Sequence, residues 1–268
     1  MNFKNLKSIN ILSVLLSITL TVVSVAGGFF PGTYEREVPS MAAQGAGQDL
    51  VDLFLVVPLL LISLYYTNKN SKVAAFLLGG TLAYIMYSFV IYSMGIHFNQ
   101  FFLLYTATFG LSLYAFILYL NDMFKENIAG WFENPPRKAI GIYLIFVAVV
   151  FYALWLKSVI PAIINDTIPE DVSNYDLLVN PVHVLDMAFA LPALIIGGIL
   201  IMKGKDKGYL IAALSLVFMM ILTIALAGMV IMLVIRGISE DYTIATVFGV
   251  LTITSLVFTV LLLKNIRK

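Results

Sequence analysis

Hydrophobic residues run along this chain in long, nearly unbroken blocks, separated by short polar stretches rich in lysine or in acids. Eight blocks, 8–30, 50–67, 73–95, 100–120, 139–160, 182–202, 208–235 and 241–263, are long enough to cross a bilayer. The hydrocarbon core is about 30 Å thick, so a crossing helix needs about 20 residues. The strand alternation that a barrel needs is absent, and a backbone in lipid must satisfy its own hydrogen bonds, so each block is predicted to be a helix. The fold class that follows is an all-α polytopic membrane protein.

The polar positions within the blocks recur. A shift of 134 residues, half the 268-residue chain, carries Asp49, Asp52 and Pro58 onto His183, Asp186 and Pro192. Lys7 and Pro31 are 24 residues apart, as are Arg137 and Pro161. The chain therefore reads as two four-helix repeats, 1–120 and 139–268, joined by a linker at 121–138. Four crossings return the chain to the side it left, so the repeats should share one orientation about an axis along the membrane normal.

Composition agrees with the pattern and adds an orientation. Hydrophobic residues make up 61% and charged residues 12% of the chain, at a mean hydropathy of +0.98. A soluble domain would carry about 25% charge. A cytoplasmic N-terminus places thirteen of the sixteen lysines and arginines inside and leaves only Arg36, Lys157 and Arg236 outside. By the positive-inside rule both termini are then cytoplasmic, in a multi-pass protein of the plasma membrane. Eleven of the fifteen acids fall on the outer side or at outer helix ends. Such a face gathers cations and repels anions and nucleic acid, although a solvated loop surface would look the same.

Several classes are excluded. The first block has a basic start and carries Ala26-Gly27-Gly28, features shared with cleaved signal peptides, but its apolar run continues through Phe30 and its frame recurs in the fifth block, so it is read as a span. Without cysteine there is no disulfide framework and no thiolate metal site. Walker A, dinucleotide-binding and serine-elbow motifs are missing, which argues against ATP hydrolysis and leans against an enzyme altogether.

The candidate chemistry lies at the outer helix ends. Asn180-Pro181 reads as an N-cap followed by proline at the first helical position, making His183 the third helical residue and Asp186 the sixth. The same frame places Asp49 and Asp52 behind an outer loop at 31–48, and a second long loop occupies 161–181. Asp49 then reads as a first-turn carboxylate that complements the helix dipole. Asp52 and Asp186 would lie about 9 Å into their helices, where an ionisable group is costly and marks a candidate site. His97 and Asn99 belong to the turn before the fourth block. The ligand-binding set is Asp49, Asp52, Asn99 and Asp186. The metal set is His97, His183 and Asp186, whose imidazole and carboxylate donors suit a divalent ion such as Zn, Mn or Fe.

Pro58 and Pro192 lack the N–H of a helix interior and crowd the carbonyls of Phe54 and Ala188, so both helices are predicted to kink. Hydroxyls at Thr81, Tyr84 and Ser88, and at Tyr105, Thr108 and Ser112, form polar seams of the kind that glues helices together. Four readings fit these residues. The aspartates could belong to a buried network with Arg36, Lys157, Arg236 or tyrosines such as Tyr92 and Tyr105. They could bind a cation or cationic amphiphile in a transport or binding protein, with the site between the repeats. They could serve a metal-dependent hydrolase at the outer leaflet, in which Asp52 or Asp49 activates water. Alternatively, the chain could be a non-catalytic accessory or immunity-like subunit acting through its loops. The transport or binding reading leads, and the mismatch of Asp49 with His183 makes its site asymmetric.

Overall fold

A computed structural model describes Met1 and residues 3–267. Eight of its helices are long and apolar enough to cross a membrane: α1 (Leu6–Phe29), α2 (Pro39–Asn68), α3 (Lys72–Met94), α4 (Phe102–Met123), α5 (Arg137–Ile164), α6 (Pro181–Met202), α7 (Asp206–Ile235) and α8 (Thr243–Leu263). No strand forms among the described residues, and one isolated bridge joins Phe132 to Ile266. The chain thus has the architecture of a multi-pass helical membrane protein.

Local chemistry accounts for the helix ends. Asn70 adopts the left-handed conformation, φ 61°, which asparagine tolerates, and so turns α2 back into α3. The Ser71 hydroxyl then accepts from the Ala74 N–H at 3.3 Å and caps α3. At α6 the side chain of Asn180 accepts from the Val182 N–H at 3.0 Å, ahead of Pro181, as expected.

The helices pack as two groups that meet along α3 and α7. In the first group α1 contacts α2 and α4, and α3 lies between α2 and α4. In the second, α6 lies between α5 and α7, α7 contacts α8, and the Tyr143 and Ser255 hydroxyls join α5 to α8 at 2.8 Å. The interface between the groups is lopsided. α2 packs closely along α7, whereas α6 touches α3 only through its first turns. The two proline-bearing helices, α2 and α6, make no substantial contact with each other.

One expectation is corrected at α2. The outer loop predicted at 31–48 is largely helix: a short 3-10 turn spans Pro31–Tyr34, and α2 starts at Pro39. Ala42 to Gly47 read as loop because glycine weakens an isolated helix. In the folded chain the same small residues admit close neighbours. A Cβ on Gly47 would stand 2.5 Å from the Gly228 carbonyl oxygen of α7, and one on Gly45 would stand 3.0 Å from the Tyr34 ring. Asp49 is therefore not a first-turn carboxylate; it is the eleventh residue of a helix beginning at Pro39. A smaller correction concerns α5, which continues through Pro161 to Ile164 instead of ending there.

The linker at 121–138 packs against the ends of α1, α3 and α7. Asp122, at the end of α4, accepts from the backbone and side chain of Asn5 at 2.7 and 2.8 Å. Phe132 stacks on Tyr209, and Trp131 meets Phe76 edge-on. The predicted boundaries of α3, α6 and α7 agree with the observed helices to within two residues.

Candidate functional site: buried aspartates around α3

Both proline-bearing helices contain a π-helical turn, and each turn begins at the matched aspartate. The turns are Asp52–Val56 in α2 and Asp186–Ala190 in α6, two residues ahead of Pro58 and Pro192 respectively. In each, the residue before the proline donates its N–H to the aspartate's own carbonyl, Val57 to Asp52 and Leu191 to Asp186. The carbonyls of Leu53 and Met187 thereby lose their usual donors four residues on. Phe54 and Ala188 face prolines that have no N–H to give. The expected kinks are realised as widened turns, a feature that clusters at functional positions. The Met187 carbonyl is served instead by the Tyr152 hydroxyl at 2.8 Å.

Asp49 and Asp52 are wholly buried, and Asp186 nearly so. Tyr34 donates a short hydrogen bond to Asp49 Oδ2, and Tyr92 donates to its Oδ1 at 3.3 Å. Gly27 makes room for this carboxylate, since a Cβ there would fall 1.7 Å from Oδ2. Tyr84 donates to Asp52 Oδ1 at 2.8 Å, while Asp52 Oδ2 is buried with no hydrogen-bond partner. Asp186 accepts on both oxygens, from the Tyr87 hydroxyl and from Trp155 Nε1, each at 2.8 Å. Among the described residues no lysine or arginine pairs with any of the three.

The histidines occupy different surroundings. His183 stacks against Trp155 with ring centroids 4.5 Å apart, and its Nε2 lies 3.4 Å from Asp171 Oδ2. Asp171, on the one-turn helix Glu170–Ser173, accepts from Ser158 at 2.8 Å and Asn180 at 2.7 Å. Burial pushes the Asp171 carboxyl up, but these hydrogen bonds and the nearby His183 outweigh it and hold the group below its usual range. His97 bridges two loops: Nδ1 lies 3.1 Å from Glu37 Oε2, and Nε2 lies 3.5 Å from Asp176 Oδ2. The Glu37 hydrogen bond raises the His97 pKa, desolvation opposes it, and the charges of Glu37 and Asp176 add to the rise.

The predicted residues thus fall into separate groups. Asp186 and His183 share Trp155, whereas Asp49 and Asp52 gather tyrosines of α3 and Tyr34. His97 has acids of its own, and no group of three or more histidine or acidic side chains placed to hold a metal ion occurs among the described residues. Asn99 is buried and braces its loop, donating to the Thr33 carbonyl at 3.3 Å and the Tyr105 hydroxyl at 3.5 Å. Sequence reading missed Tyr87, Trp155 and Gly27. Tyr87 is three residues from Tyr84 and so shares its helix face, which was a usable signal. Nothing in sequence pointed Trp155 at Asp186.

Most other hydroxyls in the predicted seams bond within their own helices, Thr81 to the Leu77 carbonyl and Thr108 to the Leu104 carbonyl, both at 2.8 Å. They serve packing. No protein-family model matches the chain, and no curated protein or solved structure is detectably similar to it.

Proposed function

We propose that this chain is a transport or binding protein of the cell membrane for a cation or cationic amphiphile, with Asp52 as its principal binding carboxylate and Asp186 as the second. The observation that carries the reading is Asp52 Oδ2, a wholly buried carboxyl oxygen with no donor and no cationic partner. An unpaired carboxylate in a low-dielectric interior is strongly disfavoured, so such a group either carries a proton or binds a positive charge. The widened turn beside it releases backbone carbonyls from the helix ladder, and carbonyl with carboxylate is the donor set that hard cations prefer.

Further features support the wider arrangement. The two π-helical turns begin 134 residues apart, at the aspartates that the repeat equates. This favours duplication of a four-helix unit, and a widened turn can act as the hinge between two helix arrangements. The excess of basic residues at the end opposite Asp52 favours cytoplasmic termini and a site reached from outside.

Equilibrium binding to the purified protein in detergent tests the reading, with Na⁺, K⁺ and tetraphenylphosphonium as probes. Asp52→Asn is expected to weaken binding of at least one probe by about tenfold or more, and Asp186→Asn to a lesser extent. Unchanged binding in the double variant, or no binding of any probe by the unaltered protein, would overturn it.

A further inference from the structure

Asp52 and Asp186 are matched in sequence and in backbone, yet their carboxyl groups are solvated differently. Asp186 receives a donor on each oxygen, a hydroxyl from Tyr87 and an indole N–H from Trp155. That is the environment of a carboxylate, because an ionised carboxyl is an acceptor at both oxygens. Asp52 receives one donor, Tyr84 on Oδ1, and its buried Oδ2 receives none. Oδ2 has no partner of either kind, and an ionised oxygen left so costs far more than a neutral hydroxyl, which favours a proton on Oδ2 and leaves Oδ1 as the carbonyl oxygen that accepts from Tyr84.

Burial favours the neutral form, and the single hydrogen bond from Tyr84 is all that opposes it. On its own helix Asp52 has Asp49 one turn away, a second wholly buried acid that is engaged by two tyrosines. From α3 it faces Tyr84 and, further off, Tyr92. Neither α1 beyond Lys7 nor α7 between Tyr209 and its last residue, Ile235, contains a titratable side chain. Two carboxyl groups one turn apart, with no lysine or arginine paired to either among the described residues, do not both remain ionised, and Asp52, with an oxygen that no donor reaches, is the one we assign the proton.

We propose that Asp52 is the proton-binding site of this protein, a carboxylic acid protonated on Oδ2 in the conformation described here, while Asp186 is a carboxylate. The proposal rests on the cation-binding reading for its consequence: the bound cation and the proton compete for one group. On loading, the Oδ2–H bond breaks, the proton leaves to water, and the carboxylate contacts the cation, so charge is conserved at the site.

Infrared difference spectroscopy on the purified protein in detergent tests the proton directly, without any cargo. The unaltered protein at neutral pH should show a carboxylic-acid C=O band that shifts in D₂O. Asp52→Asn should remove this band and Asp186→Asn should retain it. Tyr84→Phe keeps the carboxyl and deletes its hydrogen bond, so it should move the band to higher frequency without abolishing it. Absence of the band in the unaltered protein, its survival in Asp52→Asn, or its loss in Asp186→Asn would overturn the assignment, even where Asp52→Asn abolishes tetraphenylphosphonium binding. Conversely, a band lost in Asp52→Asn with cation binding unchanged would uphold the proton and overturn the competition together with the cation reading.

Discussion

Tyr84 and Tyr87 stand three residues apart on α3 and donate to different aspartates, Tyr84 to Asp52 of α2 and Tyr87 to Asp186 of α6, both at 2.8 Å. With a rise of about 1.5 Å per residue, the two tyrosines are offset by about 4.5 Å along the helix, on nearly the same face. One helix thus serves both halves of the chain. α2 and α6 need not touch for their aspartates to be linked, because a movement of α3 changes the hydrogen bonding of both.

The tyrosines should be separable by mutation. Tyr87→Phe leaves Asp186 one donor, Trp155, and should lower stability by about 1–3 kcal/mol, as loss of a partner to a buried charged acceptor does. Tyr84→Phe should cost less, because its partner is a neutral acid whose hydrogen bond is weaker than one to a carboxylate. Thermal unfolding of the two variants in detergent gives the comparison, and a larger loss for Tyr84→Phe would contradict the assigned protonation states.

Gly27 provides a steric test of the Asp49 cluster. An alanine Cβ there would fall 1.7 Å from Asp49 Oδ2 and 2.6 Å from the Tyr34 hydroxyl, whereas one at Gly110 meets nothing within 4 Å. Gly27→Ala should destabilise by about 1–3 kcal/mol through overpacking. Gly110→Ala should be neutral or stabilising by up to about 1 kcal/mol through helix propensity. Similar unfolding midpoints for the two variants would mean that Asp49 is not held against α1 as described.

The prolines set the widened turns. Pro58→Ala supplies an N–H for the Phe54 carbonyl and lets the helix close into regular α geometry, turning Asp52 away from Tyr84. The expected outcome is a higher midpoint of thermal unfolding combined with weaker cation binding. Binding that stays at the level of the unaltered protein would show that the turn has no part in the site.

The loop clasp at His97 predicts a pH dependence. Glu37 raises the folded-state pKa above the usual value of about 6.5, so the stabilisation is fully present below about pH 6.5 and is lost as pH rises through the raised value. The His97 side chain is 37% exposed, so solvent screening keeps the effect small. Unfolding midpoints of the unaltered protein should fall, relative to those of His97→Gln, as pH rises above about 6.5. Parallel pH profiles would remove the clasp from the account.

The π-helical turns show where sequence reading stopped. That Pro58 and Pro192 would disturb their helices was legible, because a missing N–H is a property of the residue itself. That the disturbance becomes a widened turn starting at each aspartate was not, because this depends on which carbonyl the preceding N–H selects in the packed bundle. Asp49 makes the same point from the other side. Its burial depends on α2 extending back to Pro39, and that extension depends on Gly45 and Gly47 lying against Tyr34 and Gly228.

Hydrophobic length is a property of the chain alone, so the eight apolar helices and the membrane-protein class were legible in the sequence, whereas the depth of Asp52 was not, because α2 begins at Pro39. Tertiary structure decided which donor each carboxyl receives. Trp155 and Tyr87 saturate Asp186, whereas Tyr84 serves only one oxygen of Asp52. The reason is physical: a hydrogen bond spans about 3 Å between residues tens of positions apart, so it is set by how α2, α3, α5 and α6 pack and not by any local pattern.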